Sequence, residues 1–190
     1  MKGPLLIIGI GLAGTGKSII LKEVASKFVN LFYIDKDDIH NSFILDKNLE
    51  KRENKEFYDK FIRLQGYKAM FEIAKQNLII GKNVILDGYL IDKLNTSWFE
   101  QLLKNLEDTP HQKKFIYFYC DKDLIFDRLK KRNYWRDKNK LKDKNSFFKY
   151  YEKDSKHVQD FNFDLKLDTS KNINDVTNEF IKVVEKWMNY

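Results

Sequence analysis

Cysteine is nearly missing from this 190-residue chain, with Cys120 the single example. One thiol cannot close a disulfide within the chain, which fits a reducing compartment. Cys120 ends the apolar run "KFIYFYC" and is expected to be buried and inert. Proline is as scarce: Pro4 and Pro110 are the two present, each ahead of an apolar run. No Pro-rich hinge, repeat or low-complexity linker divides the chain, so one domain over residues 1–190 is expected. Long hydrophobic runs are lacking too, and no stretch has the length of a membrane-spanning helix. The start, "MKGPLLIIGIGLAG", pairs a lysine with an apolar run as a signal peptide does. Cleavage would remove the motif that follows, so a cytoplasmic protein without a membrane partner is expected.

Hydrophobic residues make up 43% of the chain and aromatics 15%, enough to fill a sizeable core. The net charge of +7 is local: Lys130–Lys156 holds 11 Lys/Arg against four acids, and the rest of the chain is balanced. A local excess of this kind suits a polyanion, either nucleotide phosphates or nucleic acid. The plainer interpretation is a lysine-rich solvated face.

Short apolar runs at 5–10, 31–34, 83–87, 114–120 and 163–168 alternate with helical patterns. Phe57, Phe61, Leu64, Tyr67, Phe71, Ala74 and Leu78 trace one helix face, and Gly81 ends that helix. Ile173, Val176, Phe180, Val183 and Trp187 trace another. Strands alternating with helices predict an α/β fold, a three-layer parallel five-stranded sheet. Right-handed crossovers bring every strand's C-terminal end to one edge, where ligands bind. The residues to inspect are therefore Gly11–Ser18, Asp35–His40, Asp87–Tyr89, Cys120–Asp123 and Asp168–Ser170.

"GLAGTGKS", Gly11 to Ser18, matches G-x-x-x-x-G-K-[ST] between a predicted strand and a predicted helix. Its backbone N–H groups, from Gly11, Ala13, Gly14, Thr15, Gly16, Lys17, Ser18 and Ile19, would surround phosphate oxygens. The helix that follows adds its positive dipole end. Lys17 would reach the β- and γ-phosphates, and the Ser18 hydroxyl would ligate Mg²⁺. Ile19 stands where many such loops carry a second hydroxyl, which leaves its backbone N–H alone for the α-phosphate.

A switch GTPase would need D-x-x-G and N-K-x-D, but "LDGYL", "NKEF" and "NKLK" do not match. A motor ATPase usually ends its second motif in an acidic pair, and here Asp87 is followed by Gly88. A kinase needs an acceptor-side base and a mobile cationic lid. The carboxylates Asp35, Asp37 and Asp38 after the second apolar run supply candidates for the base. Arg128, Arg132 and Arg136, four apart, are the candidate clamps, where planar guanidiniums could bridge phosphoryl oxygens. Trp135, Phe147, Phe148, Tyr150 and Tyr151 are read as packing for the lid, approximately 130–156.

In "GLAGTGKS", "IDKDDIH", "NVILDG" and "DRLKKRNYWR", taken in order, the chain resembles P-loop kinases of the zeta-toxin and polynucleotide 5′-hydroxyl kinase group, which includes chloramphenicol phosphotransferase-like enzymes. The resemblance implies ATP and Mg²⁺ as cofactors, Asp37 as general base, and Arg132 and Arg136 as phosphate clamps. It implies an adenine contact for Arg128, and for Asp87 a place facing the acceptor or an Mg²⁺-bound water. Asp38 and His40 fall on the acceptor side. Polynucleotide kinases of this kind tend to have Arg where His40 stands, so a small-molecule alcohol is the first expectation and a nucleic-acid 5′-hydroxyl the second. A P-loop switch without an acceptor is a further alternative. The resemblance leaves open any antitoxin-like protein partner.

Overall fold

In a computed structural model, residues 3–43, 56, 62–134, 137–138 and 140–189 are described. Five strands form one parallel sheet in the order β2–β3–β1–β4–β5. They are β1 (Leu5–Gly11), β2 (Leu31–Asp35), β3 (Asn83–Asp87), β4 (Gln112–Tyr119) and β5 (Leu165–Asp168). The described helices are α1 (Lys17–Ser26), α2 (Lys36–Phe43), α3 (Arg63–Ile79), α4 (Ser97–Lys104), α5 (Lys122–Arg132), α6 (Lys144–Ser155) and α7 (Ile173–Asn189).

Strand β1 is central and buried along its whole length. A parallel strand covered on both faces needs such a continuous apolar run. Its side chains alternate between two cores. Leu5 and Ile7 pack with Ile20, Leu21, Val24, Phe118 and Phe180 beneath α1 and α7. Leu6, Ile8 and Ile10 pack with Tyr67, Phe71 and Phe99 beneath α3 and α4. Tyr67, Phe71, Ala74 and Leu78 form the buried stripe of α3, in the expected steps of four and three. Positions 57 and 61 of that predicted face lie outside the described residues. The helix ends as predicted, with Gly81 N–H donating to the Leu78 carbonyl at 2.9 Å.

A third cluster joins α5 to α6 through Cys120, Ile125, Leu129 and Phe147. Each helix is capped by an aspartate. Asp121 accepts from the Asp123 and Leu124 N–H groups at 2.8 and 3.3 Å. Asp143 accepts from the Ser146 N–H at 2.8 Å and its hydroxyl at 2.6 Å. Phe147 is buried beside the Phe126 ring, 5.4 Å between centroids, in the packing role expected for it. Trp135 lies outside the described residues. Among the described residues no helix is long and apolar enough to cross a membrane.

All five strands point the same way, so their C-terminal ends share one edge. Asp35 and Asp87 end adjacent strands as register partners, and Gly9 of β1 is the partner of Asp87 on the other side. The carboxylates of Asp35 and Asp87 are therefore set beside the loop that follows β1.

Candidate active site

At that edge lies a cleft of about 1220 Å³. It is lined by residues 11–19, by Asp35, Lys36 and Asp37, by Asp87, Gly88 and Tyr89, and by groups from α3, α5 and α6. The loop 11–18 turns between β1 and α1. Gly14 and Gly16 take φ of +88° and +81°, a region that side chains rarely adopt. A Cβ on Gly14 would also lie 2.9 Å from Leu129 Cγ. The loop thus depends on glycine for its conformation and for the approach of α5. The Thr15 hydroxyl donates to the Leu12 carbonyl at 2.8 Å, which braces the turn. Ile19 is exposed on the first turn of α1.

Lys17 is buried and its Nζ is ion-paired with Asp87. Burial pushes its pKa down to about 8, against the pull of the Asp35 and Asp37 carboxylates. The other Asp87 oxygen accepts from the Tyr33 hydroxyl at 2.7 Å. Asp87 therefore positions Lys17 from below, at the edge where the acceptor or a metal-bound water was expected.

Ser18 is the exposed hydroxyl at the start of α1. It lines the cleft together with the Asp35 and Asp87 carboxylates, which the Tyr33 hydroxyl bridges. These are oxygen donors, the ligand type a hard cation such as Mg²⁺ takes, so the donor set fits that ion.

The opening aspartates of α2 have separate roles. Asp35 Oδ1 accepts from the Asp37 N–H at 2.7 Å, which makes Asp35 the cap of α2. Asp37 sits in the first turn with its side chain half exposed to the cleft. Its Oδ1 is 2.7 Å from the buried Lys36 Nζ. Lys36 lies over the Tyr67 ring, 5.5 Å from its centroid. Asp38 is exposed and does not line the cleft. His40 is fully buried (0% exposed) and also stands off the cleft, with its Cβ close to Gly66 of α3. Asp38 and His40, expected on the acceptor side, are thus not among the residues that line this cleft. α2 packs against α3, and that contact takes up the face carrying His40.

Arg128 reaches across the end of the sheet. Its guanidinium donates to the Thr169 carbonyl at 2.9 Å and to Cys120 Sγ at 3.5 Å. The loops after β4 and β5 thus position Arg128, which itself lines the cleft. Arg132 lines the cleft while ion-paired to Asp137, a carboxylate 2% exposed. Arg136 lies outside the described residues.

Several lining residues were not anticipated from the sequence: Arg63, Asp92, Lys140 and Asp154. The Tyr89 hydroxyl bonds the buried Asp154 carboxylate and lies 2.6 Å from the Tyr150 hydroxyl. Lys140 Nζ is 3.2 Å from that same hydroxyl. Burial, reinforced for Tyr89 by Tyr150 and Asp154, pushes both tyrosines well above their ordinary range. Tyr150 was expected only to pack the lid. Tyr33, whose hydroxyl bonds Asp35 and Asp87, was also not anticipated, although it precedes Asp35 by two and shares its strand face.

None of the curated proteins compared with the chain matches it. Solved structures do. The shikimate kinase of Bacteroides thetaiotaomicron is similar at 15% identity and TM-score 0.67, covering 95% of this chain and 98% of that one. A sugar kinase of a Janibacter species is similar at 14% identity and TM-score 0.64, covering 96% and 95%. A gluconokinase of Sinorhizobium meliloti is similar at 13% identity and TM-score 0.58, covering 98% and 95%. At these identities the likeness is one of fold, the α/β P-loop kinase fold with its five-stranded parallel sheet. The AAA domain family model matches residues 7–158, which spans the loop, both carboxylate-bearing strand ends and α6. The chain belongs to the AAA domain family and has the fold of its P-loop kinases.

Proposed function

We propose that the protein is an ATP- and Mg²⁺-dependent kinase that transfers the γ-phosphoryl group to a hydroxyl of a small-molecule acceptor. One observation carries this reading: the Asp37 carboxylate opens into the same cleft as the phosphate loop and is held by Lys36 at 2.7 Å. A base must stand where the acceptor oxygen meets the phosphate. Gly88 argues against a hydrolytic motor. A Cβ there would lie 3.1 Å from Tyr67 Cε1, so the second acid of a motor's acidic pair has little room.

In the proposed mechanism the loop N–H groups and Lys17 hold the β- and γ-phosphates. Bound Mg²⁺ would be ligated by Ser18, with Asp35 and Asp87 behind it, and would neutralise phosphate charge. Asp37 accepts the proton of the acceptor hydroxyl as the hydroxyl oxygen attacks the γ-phosphorus and the bond from that phosphorus to the bridging oxygen breaks, releasing ADP. Arg132 and Arg136, on a lid of approximately 130–156, clamp the transferring group and exclude competing water. Arg128 supports the adenine.

The acceptor side carries Asp37, Asp92 and Asp154 among its cations. Carboxylates there disfavour a polyphosphate chain, which supports a small alcohol. A 5′-hydroxyl end of RNA or DNA is the second reading. It is supported by Lys131, Arg132, Lys140 and Lys153 along the cleft and by the motif order shared with the zeta-toxin and polynucleotide kinase group.

Transfer from labelled ATP across a panel of sugars, nucleosides, antibiotics and 5′-hydroxyl oligonucleotides tests both. Asp37→Asn should keep nucleotide binding and lose about two orders of magnitude of transfer. Near-normal transfer by that variant would remove Asp37 as base. Oligonucleotide phosphorylation that weakens steeply with salt would select the second reading. Hydrolysis without any acceptor would favour a switch.

A further inference from the structure

We propose that Lys36 is a positioning residue for Asp37, whose buried ammonium holds that carboxylate in its charged form and in one orientation towards the cleft. The inference rests on the reading of Asp37 as base. It does not depend on which alcohol is the acceptor.

Lys36 opens α2 directly after Asp35 ends β2. A lysine usually sends its ammonium to water along a flexible stem. This one is 5% exposed. Its stem lies against α3 at Gly66, where an added Cβ would stand 3.7 Å from Lys36 Cδ. Its own Cβ is 3.6 Å from the place of a Cβ on Gly88, in the loop after β3. Its Nζ lies over the Tyr67 ring, 5.5 Å from the centroid. That ring is anchored in turn, because the Tyr67 hydroxyl donates to the Tyr89 carbonyl. Helix α3 and the loop after β3 therefore fix the lysine, and its Nζ reaches Asp37 Oδ1 at 2.7 Å.

Residues one apart in a helix do not face each other, so this contact is not a by-product of helix geometry. A buried ammonium is costly unless a carboxylate compensates it. The compensating carboxylate is half exposed and lines the cleft. The restrained partner is thus the group able to meet a substrate, and the buried lysine is the restraint. Asp35 already fixes the Asp37 main chain through its N–H. Lys36 adds the side chain, so Asp37 is held at both ends. The plainer role for Lys36 is packing of its stem between α2 and α3. A methionine keeps an unbranched apolar stem there and removes the charge, so the two roles can be separated.

The experiment compares Lys36→Met with wild type in the full chain. Carboxyl-detected NMR of aspartate-labelled protein follows the Asp37 side chain, identified by its absence in Asp37→Asn. Expected is a titration midpoint about one pH unit or more higher in Lys36→Met, since loss of a neighbouring cation favours the protonated acid. Lys17, Asp35, Arg63, Asp87 and Asp92 line the same cleft and are common to both proteins, so the difference isolates Lys36. Equal midpoints would overturn the proposal. Labelled-ATP transfer to glucose, adenosine and a 5′-hydroxyl oligonucleotide reads the consequence. Lys36→Met should lower kcat about tenfold or more, with fluorescent-ADP affinity within about twofold of wild type. In an Asp37→Asn background the same change should cost less than about twofold. An equal loss in both backgrounds would show Lys36 acting apart from Asp37 and overturn the proposal. That comparison also decides should Lys36→Met melt well below wild type, because loss of fold lowers both backgrounds alike. Near-normal transfer by Asp37→Asn with the midpoint still shifted would remove the base and leave the pairing standing, which separates the two failures.

Discussion

Lys17 makes nucleotide affinity sensitive to pH in a direction that its surroundings fix. Burial lowers its pKa to about 8, so the free protein begins to lose the ammonium charge at mildly alkaline pH. Nucleotide phosphates bring negative charge to Nζ and favour the charged form, so the bound state has the higher pKa. A bound state that holds more protons than the free state loses affinity as pH rises. With a free-state midpoint of about 8, the charged fraction falls from about 90% at pH 7 to about 10% at pH 9. Affinity should therefore be flat up to about pH 7.5 and about ninefold weaker at pH 9. Fluorescent ADP titrations at fixed Mg²⁺ measure this directly. Lys17→Arg is the control, because a guanidinium stays charged throughout and should give a flat profile whatever its absolute affinity. A wild-type profile flat to pH 9 would refute the reasoning. It would mean that the Asp87 contact outweighs burial and keeps Lys17 charged.

Arg132→Ala should slow phosphoryl transfer with little effect on nucleotide affinity. It also strands the buried Asp137 carboxylate, at a cost of about 1–3 kcal/mol in urea unfolding. Unchanged turnover would remove Arg132 from the proposed lid clamp. Gly14→Ala should cost about 1–3 kcal/mol from its left-handed φ and press α5 away from the loop. Nucleotide affinity should fall with it, and a variant of wild-type stability would refute the steric account.

The sheet was legible because parallel strands leave continuous apolar runs. The boundaries were less so, for reasons outside the runs. Strand β4 starts at the polar Gln112, whose N–H donates to the Pro4 carbonyl at 2.8 Å, since ladder pairing is indifferent to side-chain polarity. Strand β5 starts at Leu165 and not at Phe163, whose ring stacks on Tyr117 at 5.0 Å. The phosphate loop was legible because its chemistry is local, eight consecutive residues. The opposite part of the cleft is built from distant pieces. Tyr89 meets Tyr150 and Asp154 across more than 60 residues, and no spacing rule encodes such a meeting.

The stretch "YIDKDDIH" shows how far spacing reaches and where it stops. Spacing put one acid at the strand end and another in the first helical turn. Asp35 also caps α2, because its Oδ1 lies within reach of the Asp37 N–H. That bond does more than start α2. It fixes Asp37 relative to a strand whose register also sets Asp87, and through Asp87 the position of Lys17. The candidate base and the candidate phosphate-binding lysine are thus referenced to one pair of strand ends. His40, one turn further on, escapes that control because α3 covers its side of the helix. Asp37, by contrast, stands on the part of α2 that lines the cleft.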